Sequence, residues 1–387
     1  REIVTTSFIL KKLYNVGAKK MDRAIDVIHW NKKLMSALGL WPHQRNNLWF
    51  TINFVYFVSL AVLGYVDLFL FIGDLEHVVM NVTENLAYSQ VFVRIGMLWK
   101  YNDQLGSVIS EMMKDFDDRR YESREEKKAF LTYNARSKMF VKLLSVFVGV
   151  TAPLYFFTPF LSLLSKDTLL LPFSEDTRTY FLTYLFEMPF VYTAGFGQTA
   201  ADCLMVTLVF HICGQMSVLA VRINNIDVDP YNCKRNVRKV IEAHVRLLWM
   251  SKKVAKAFNA TLLAHLLGAM TLICVLGYQI LTVINFANGD KTNLLSYLIF
   301  QLSVLLVLYA HSTVGESLLT ESVKVSEAFY ACQWYDMSVE NSRSILLCMM
   351  RSQRPLCLLA GKFSIFCLST LTQVTSMSYL SVLRSFL

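Results

Sequence analysis

The sequence alternates long apolar stretches with shorter segments that are rich in polar and basic residues. An α-helix needs about 20 consecutive apolar residues to cross the hydrocarbon core of a bilayer. Seven stretches predict membrane-spanning helices, at residues 48–72, 77–98, 137–164, 182–221, 258–286, 293–317 and 358–383. The second stretch is the least apolar, because it carries Asn81, Glu84, Asn85 and Gln90. The pattern predicts an all-α membrane protein with seven transmembrane helices.

Basic residues are distributed unevenly between the polar segments. Of the 38 Lys and Arg residues, 30 lie in segments 1–47, 99–136, 222–257 and 318–357. The alternating segments hold only 4, at 73–76, 165–181, 287–292 and 384–387. This bias requires the weak stretch 77–98 to cross the membrane. By the positive-inside rule, we expect a cytosolic N-terminus and an extracellular C-terminus.

The composition favours a membrane protein over one that binds nucleic acid. Only 17% of the residues are charged and the mean hydropathy is +0.40, whereas soluble proteins carry about 25% charged residues. The net charge of +9 comes from the segments between the apolar stretches. We therefore interpret the basic residues as a signal of membrane topology and not as a surface that binds nucleic acid. Residues 1–47 contain no secretory signal pattern, so we expect the first span to act as signal and anchor. Because the sequence begins at Arg1, we expect a few residues, including the initiator, to precede it.

Two helices should extend beyond the membrane on the cytosolic side. The run 182–221 is 40 residues long, or about 60 Å as an α-helix, which is about twice the hydrocarbon thickness. After the break INNIDVDPYNCK, a basic segment has an apolar stripe at Val237, Ile241, Val245 and Leu248. Two interpretations remain open: a helix on the membrane surface, or a helix that continues into the span at 258–286. The absence of a breaker between residues 234 and 258 favours continuation.

The C-terminal segment combines a proline, a glycine and a lysine just before the last apolar stretch. Pro355 should end the preceding helix, Gly361 should allow a turn, and Lys362 should extend its amine toward the membrane interface. The last stretch carries seven hydroxyl residues and one amide, at Ser369, Thr370, Thr372, Gln373, Thr375, Ser376, Ser378 and Ser381. Such residues serve either helix packing in lipid or the lining of a pore, and the pattern leaves both interpretations open.

Ionisable residues inside predicted spans are candidates for function, because charge is costly in lipid. Asp67 and Glu187 lie near outer helix ends, and Arg94 and Glu316 lie near inner ends, where the interface can hydrate them. Asp202 lies deeper and is interpreted as a structural residue. We expect it either to hydrogen-bond a neighbouring helix or, if the fourth span is tilted, to lie at the inner membrane boundary.

The sequence contains no motif for catalysis or for binding a metal or cofactor. It has no P-loop, His-Glu-x-x-His, Gly-x-Ser-x-Gly or nucleotide fingerprint, and its seven histidines have no metal-ligand spacing. None of the eight cysteines falls in a predicted outer loop, so we expect free thiols. The sequon at Asn81 abuts the outer membrane face, and the sequon at Asn259 lies on the cytosolic side, where it should stay unmodified. We therefore expect neither an enzyme nor a cofactor.

Residues 330–387 carry a recognisable pattern. The segment YACQWYDMSVENSRSILLCMMRSQRPLCLLAGKF, followed by SMSYLSVL, resembles the insect odorant receptor family in the order and spacing of its motifs. The related gustatory receptors carry Thr-Tyr and, five residues later, Gln-Phe. Here Ser378-Tyr379 and Ser385-Phe386 form a degenerate version, which favours the odorant branch.

The resemblance implies a function in olfaction. It implies a tetrameric, non-selective, ligand-gated cation channel, assembled with the odorant receptor co-receptor in the plasma membrane of olfactory sensory neurons. The co-receptor has an enlarged second cytosolic loop, whereas here that loop, 222–257, has 36 residues. The chain therefore resembles a variable, odour-tuning subunit of a heterotetramer. Its expected partners are the co-receptor, a small volatile ligand and membrane lipid, but not nucleic acid.

The predicted spans and the resemblance together divide the chain into three parts. Residues 1–47 form a cytosolic segment, and residues 48–317 form the first six spans with an outer-leaflet ligand pocket and cytosolic helix extensions. Residues 318–387 form a cytosolic helix, with Ser338 as its N-cap, and a pore-lining seventh span.

Candidate site residues follow from the resemblance, which places the pocket in the outer half of the second, third, fourth and sixth spans. The candidate ligand-binding residues are Tyr88, Phe92, Val148, Thr151, Tyr155, Met188, Tyr192, Tyr297 and Phe300. An apolar, aromatic lining suits a volatile ligand, although aromatic residues at helical spacing also serve plain packing. The candidate pore residues are Ser378, Val382, Ser385 and Phe386.

Three other functions compete with this interpretation. A gustatory-type channel subunit remains the principal alternative. A seven-helix metabotropic receptor would place its N-terminus outside, against the charge bias. A transporter would show internal repeats and broken midplane helices, and no such repeat is visible.

Overall fold

The structure is a computed structural model that describes residues 21, 24–73, 75–164, 177–227, 230–285 and 291–384. Within these ranges the chain is mainly helical. Its α-helices are α1 (Asp26–Ala37), α2 (Asn47–Leu70), α3 (Leu75–Lys100), α4 (Asn102–Met113), α5 (Arg124–Leu164), α6 (Thr177–Asn224), α7 (Pro230–Asn285), α8 (Lys291–Ala331), α9 (Val339–Ser352) and α10 (Leu368–Arg384). Short 3-10 helices occupy Lys114–Phe116, Asp118–Arg120 and Trp334–Asp336, and two strands are β1 (Leu359–Ala360) and β2 (Ser364–Ile365).

Each apolar stretch predicted from the sequence lies largely in its own helix, in the order α2, α3, α5, α6, α7, α8 and α10. Four segments of the described chain are long and apolar enough to cross a membrane: Asn47–Leu70, Met188–Asn224, Asn232–Ile284 and Tyr297–Ala331. The helical class and its membrane character agree with the prediction.

Helix α6 is the centre of the bundle, whereas α2 lies at its edge. In the most apolar stretch of α6, 83% of the residues are buried within the chain, against 6% in α2. Helix α6 packs against α5, α8, α7, α1, α3 and α2. The exposed apolar side chains of α2 suit contact with lipid, because lipid tails are as apolar as a protein core.

Helix α7 runs without interruption from Pro230 to Asn285, so the predicted continuation into the membrane span is confirmed. Pro230 is the first helical residue, where its missing N–H removes no intrahelical bond. The buried stripe differs from the predicted one, because Val245 is 58% exposed while Val240 and Leu247 are buried. Tertiary contacts with α8 and α9 select a face rotated from the one that the sequence suggested.

The seventh apolar stretch is helical over a shorter length than predicted. Helix α9 ends at Ser352, before Pro355, and α10 begins only at Leu368. Strands β1 and β2 lie between them as an antiparallel hairpin, with Leu359 opposite Ile365. Gly361 forms the turn with a φ of +65°, a left-handed conformation that glycine adopts without a steric penalty.

Helix α9 begins where the sequence placed it. Ser338 occupies the N-cap position, although its side chain makes no capping hydrogen bond. Its neighbour in the next turn, Ser342, donates instead to the carbonyl of Trp334 at 2.7 Å. This contact fixes the short 3-10 turn against the start of α9.

Candidate ligand and gating site

Three aromatic rings join α2, α3 and α6 where these helices pack together. The Tyr88 ring meets Phe190 edge to face at 4.6 Å, and Phe190 stacks on Phe57 at 5.1 Å. Phe57 and Phe190 are buried, whereas Tyr88 is half-buried. Sequence reasoning selected Tyr88 but missed the other two. Phe190 lay between the selected residues Met188 and Tyr192, so helical spacing alone did not show that it points inward.

The other predicted ligand residues are placed less uniformly. Val148, Met188, Tyr297 and Phe300 are half-buried. Phe92 and Tyr192 are each 44% exposed, and the Phe92 ring stacks on Phe54 at 5.6 Å on the α2 side. Thr151 and Tyr155 belong to α5, but their side chains lie outside the described residues. The described side chains therefore bring Tyr88 toward the interior and leave Phe92 and Tyr192 partly on the surface.

A surface cleft of about 440 Å³ lies between α8 and α9, at the opposite end of α8 from the predicted ligand residues Tyr297 and Phe300. It is lined by Ser326, Glu327, Tyr330, Ala331, Met349 and Gln353. None of the predicted ligand-binding residues contributes to this lining, so the cleft does not coincide with the predicted pocket.

A buried polar cluster crosses the centre of the bundle. This membrane cluster consists of Gln90 and Arg94 on α3, Asp202 on α6, His265 on α7 and His311 on α8, all of them buried. Arg94 Nε donates to Asp202 Oδ1 at 3.2 Å, and His311 Nε2 lies 3.2 Å from the same oxygen. The prediction that Asp202 binds a neighbouring helix is confirmed.

His265 Nδ1 has two polar neighbours on α3. Arg94 Nη2 and Gln90 Oε1 each lie 3.2 Å from this nitrogen. A guanidinium can only donate and an amide oxygen can only accept, so the two contacts require opposite roles of Nδ1 and only one of them is a hydrogen bond at a time. Within the described chain, Arg94 Nη1 and His265 Nε2 have no hydrogen-bond partner, so the cluster is only partly satisfied.

The membrane cluster touches the hairpin that precedes α10. The fully buried ring of Phe366 stacks on His265 at 6.5 Å and meets His311 edge to face at 6.3 Å. Gly315 on α8 permits this approach, because a Cβ at that position would lie 1.9 Å from the Phe366 carbonyl oxygen. The sequence placed these two histidines on separate helices and gave no sign that their rings lie 4.8 Å apart.

Further contacts hold the hairpin and the start of α10. Asn259 Nδ2 on α7 donates to the carbonyls of Leu359 and Gly361 at 3.0 and 2.6 Å. Glu316 Oε2 on α8 accepts from the Leu368 N–H at 3.3 Å, at the start of α10. The Asn259 amide therefore anchors the hairpin to α7 through hydrogen bonds. In the sequence, Asn259 stood out only as part of a sequon that was expected to stay unmodified.

Helix α10 has two distinct faces. Thr370, Val374 and Ser378 are buried, and Ser378 Oγ donates to the Met270 carbonyl of α7 at 3.4 Å. The opposite face is exposed and polar over its first two turns, at Ser369, Thr372, Gln373 and Ser376. Of the predicted pore residues, Ser378 thus lies on the packed face. The Val382 side chain, Ser385 and Phe386 lie outside the described residues.

A second ionic cluster lies between α4, α6 and α7. This inner cluster consists of Asp115, Arg120, His211 and Arg246. Arg246 Nη2 and Arg120 Nη1 donate to the Asp115 carboxylate at 2.6 and 2.9 Å, and His211 Nε2 lies 3.0 Å from it. Burial opposes ionisation of Asp115, but its hydrogen bonds and charge interactions with His211 and Arg246 outweigh burial and lower the Asp115 pKa to about 2.

The described side chains form no cluster that could bind a metal ion. No set of three or more His, Cys, Asp or Glu residues in the described ranges is arranged to hold a metal ion. All eight cysteines are free thiols, as the sequence predicted.

Comparison with known proteins identifies the family. The profile of the 7tm Odorant receptor family matches residues 74–379. Odorant receptor 13a of Drosophila melanogaster is 28% identical over 236 residues, a match that spans 55% of this chain and only about half (56%) of that relative. Odorant receptor 67a of the same species is 21% identical over 92% of this chain and 93% of its own length. The odorant receptor coreceptor of Aedes aegypti is 27% identical over 32% of this chain and 25% of the coreceptor.

A solved structure shares the fold. The insect olfactory receptor OR5 from Machilis hrabei, in complex with eugenol, superposes with a TM-score of 0.77 at 14% sequence identity. The alignment covers 93% of this chain and 98% of OR5. The family profile covers most of the sequence and confirms the resemblance read from its C-terminal motifs. The chain therefore belongs to the insect odorant receptor family of membrane proteins.

Proposed function

We propose that the chain is the odour-binding subunit of a heteromeric, non-selective, ligand-gated cation channel, assembled with the odorant receptor co-receptor. The observation that carries this proposal is the two-faced helix α10 in a member of this family. One face packs on α7 through Ser378, and the other presents hydroxyl and amide groups. A helix that faces lipid would not expose such groups, because unsatisfied polar atoms are costly in hydrocarbon.

The polar face of α10 is the pore-lining surface in this proposal. Ser369, Gln373 and Ser376 recur at i, i+4 and i+7, so they form one stripe along the helix. Val382, Ser385 and Phe386 remain a predicted constriction near the extracellular end of α10. An apolar ring there closes a channel by dewetting, without a charged gate.

A volatile, mostly apolar ligand binds beside the Tyr88–Phe190–Phe57 stack. The tyrosine hydroxyl supplies a polar group in an otherwise apolar wall, which is the usual composition of a small-molecule site. Tyr155 and Thr151 on α5 remain candidates for the opposite wall. OR5 was solved with eugenol, a small aromatic molecule, which supports this ligand class for a chain of the same fold.

Ligand binding reaches the pore through the membrane cluster. Arg94 lies on α3, the helix that carries Tyr88, and Asp202 lies on α6, the helix that carries Phe190. The cluster contacts Phe366, which lies two residues before α10. A small displacement of α3 against α6 would therefore alter the packing at the base of the pore helix.

The chain acts as the tuning subunit and not as the co-receptor. Its second cytosolic segment is short and is mostly taken up by the continuous helix α7. The similarity to the Aedes aegypti coreceptor is confined to 25% of that protein's length. The N-terminus lies in the cytosol and the chain operates in the plasma membrane of olfactory sensory neurons.

Co-expression tests the subunit assignment. Cells that express this chain with a co-receptor should give odour-evoked current to at least one member of a volatile panel, and cells that express the chain alone should give little. An N-terminal epitope should be inaccessible in unpermeabilised cells. Robust odour current from the chain alone, or an external N-terminus, would contradict the proposal and favour a homomeric channel or a metabotropic receptor.

Cysteine accessibility tests the pore face. Gln373→Cys and Ser376→Cys should become sensitive to water-borne thiol reagents in the open channel, because they lie on the exposed face. Val374→Cys, on the buried face between them, is the matched control and should react slowly. The parent chain controls for the native thiols. Faster modification at 374 than at 373 would remove this face from the pore.

A further inference from the structure

Aromatic and basic side chains converge where α3, α4 and α7 meet. The Nζ atoms of Lys100 and Lys256 lie 5.7 and 5.8 Å from the centre of the Tyr101 ring. Lys100 is the last residue of α3, Tyr101 is the N-cap of α4, and Lys256 lies on α7. Two like charges at one ring repel each other, so this arrangement is suited to an anion between them.

Two further cations extend the same surface. Lys253 Nζ lies 4.2 Å from the Trp249 ring and donates to Ser107 Oγ at 2.9 Å. The guanidinium carbon of Arg45 lies 5.3 Å from the Trp99 ring. Arg45, Lys100, Lys253 and Lys256, together with the rings of Trp99, Tyr101 and Trp249, form the basic–aromatic patch.

The cations of this patch have no acidic partner in the described part of the chain. Basic residues nearer the start of α7 do have one: Lys234 pairs with Glu340, and Lys239 pairs with Glu122. Among the patch cations, no nitrogen lies within 4.0 Å of a carboxylate of the described residues. Asp103, the acidic residue nearest in sequence, is exposed and forms no ion pair among these residues. The patch therefore carries local positive charge that its own side chains do not balance.

The patch lies at the inner membrane boundary of the proposed topology. Arg45 precedes the predicted span that starts at 48, Lys100 follows the span that ends at 98, and Lys256 precedes the span that starts at 258. Trp99 and Trp249 are 48% and 39% exposed, as is typical of aromatic residues at the lipid headgroup level. The inner leaflet carries anionic lipid, and basic pockets between helices on that side suit phosphorylated headgroups.

We propose that the basic–aromatic patch binds the phosphorylated headgroup of an anionic phospholipid from the cytosolic leaflet. Lys100 and Lys256 contact the phosphate groups beside the Tyr101 ring, and Lys253 is positioned by Ser107. The Trp99 and Trp249 rings lie against the glycerol and upper acyl region. This inference rests on the cytosolic orientation in the proposed function. It adds a lipid site that joins α3 and α4 to α7, the helix against which α10 packs.

The test uses the purified complex of the full chain with a co-receptor in detergent. Dioctanoyl phosphatidylinositol bisphosphate is titrated while the thermal midpoint is recorded, with dioctanoyl phosphatidylcholine as the neutral lipid and inositol trisphosphate as the free headgroup. The bisphosphate lipid should raise the midpoint of the wild type. The double variant Lys100→Gln/Lys256→Gln should weaken its apparent affinity about 30-fold, from the contribution of two lysines near a charged lipid surface.

A charge-matched variant separates this site from general attraction. Lys234→Gln/Lys239→Gln removes the same charge from exposed positions on the same helix, and it should change the lipid affinity less than about twofold, because these lysines lie outside the patch. Equal weakening by both variants, or equal stabilisation by phosphatidylcholine, would overturn the site. Binding of inositol trisphosphate as tight as that of the lipid would overturn the lipid source in favour of a soluble phosphate.

Odour-evoked current distinguishes failure of this inference from failure of the proposed function. If the wild-type complex gives odour current but the lipid does not discriminate between the two double variants, only the lipid site is wrong. If the wild-type complex gives no odour current while the lipid effect follows the variants as expected, the channel assignment is wrong and the lipid site stands.

Discussion

The membrane cluster and the inner cluster both hold α6 to its neighbours through a buried aspartate, yet their surroundings differ. Asp202 lies between one guanidinium and one imidazole, with no exposed side chain in the group. Asp115 receives two guanidinium groups and an imidazole, and one of its partners, Arg120, is 43% exposed. Water therefore reaches the edge of the inner cluster but not the centre of the membrane cluster.

Because of this difference, loss of an ionic contact should destabilise the membrane cluster more than the inner cluster, although the contacts have similar lengths. Removal of one partner from a fully buried pair leaves the other charge without compensation, which is strongly destabilising. Around Asp115, Arg246 keeps Glu111 as a second acceptor at 2.8 Å, and Arg120 can turn to solvent. We therefore expect the membrane cluster to be the more sensitive of the two, and the following predictions test that order.

The largest effect should come from Asp202→Ala. This change leaves Arg94, which is 1% exposed, as an unpaired charge, and we expect a loss of about 3–5 kcal/mol of stability. The thermal midpoint of the purified chain and its level at the cell surface should both fall. Asp103→Ala changes an exposed residue that forms no ion pair with the residues that the structure describes. It is the control and should change stability by about 0.5 kcal/mol or less.

A double variant makes the same prediction sharper. Arg94→Met/Asp202→Leu removes both charges and should recover most of the lost stability, because apolar residues of similar volume replace buried ion pairs well. If the double variant is as unstable as Asp202→Ala, then the hydrogen bonds of the cluster matter more than its charge balance.

Asp115→Asn should have a smaller effect that depends on pH. The folded-state pKa of Asp115, about 2, lies below its ordinary value of 3.8, so ionised Asp115 stabilises the fold by about 2 kcal/mol above pH 4. That contribution is lost as the pH falls from about 4 toward 2. The difference in thermal midpoint between wild type and Asp115→Asn should be constant from neutral pH to about 4 and should shrink below it. A difference that persists unchanged from pH 4 down to pH 2 would exclude the Asp115 carboxylate as its source.

Asn259→Ala should act mainly on the hairpin beside the membrane cluster. It removes two hydrogen bonds to the carbonyls of Leu359 and Gly361, at a cost of about 1 kcal/mol or slightly more. We expect a modest fall in thermal midpoint together with altered resting or odour-evoked current, because the hairpin leads directly into α10. The control Asn53→Ala removes an amide whose hydrogen bond within the described ranges is made to the Trp49 carbonyl of its own helix. Equal effects of the two variants on current would exclude a gating role for Asn259.

The smallest effect should come from the exposed pair of Lys234 and Glu340. Both side chains are more than 70% exposed, so solvent screens their attraction and Lys234→Gln should change stability by about 1 kcal/mol or less. The thermal midpoint at low and high salt provides the measurement. A loss of stability as large as that caused by Asp115→Asn would show that burial does not determine how much each ionic contact contributes to stability.

Much of the architecture was predictable because membrane insertion depends on local sequence. Each apolar stretch contains a helix, and the first six are helical over most of their length, since a chain in lipid must satisfy its backbone hydrogen bonds internally. Pro355 and Gly361 act through their own backbone restrictions, so the end of α9 and the turn before α10 were also predictable. The family was predicted from motifs in about the last 60 residues, and the family profile matches the longer range 74–379.

The face that each helix buries was less predictable, because it depends on which neighbouring elements pack against the helix. The apolar stripe of α7 was placed through Val245, which is exposed, whereas His244 is buried against Phe329. Ser378 was grouped with a pore face but packs on α7. In both helices the neighbouring elements, and not the residue types, selected the buried side.

By itself the sequence determined the helical segments, the uneven distribution of charge between the polar segments and the family, since each of these depends on residues close together in the chain. Only the tertiary structure brought Arg94, Asp202, His265 and His311 together, because they come from four helices and share no spacing. The same holds for the stack of Tyr88 on Phe190 and for the meeting of Lys100 with Lys256 at Tyr101. Contacts between residues distant in the chain depend on how the helices cross, and that geometry is set by the packing of all of them at once.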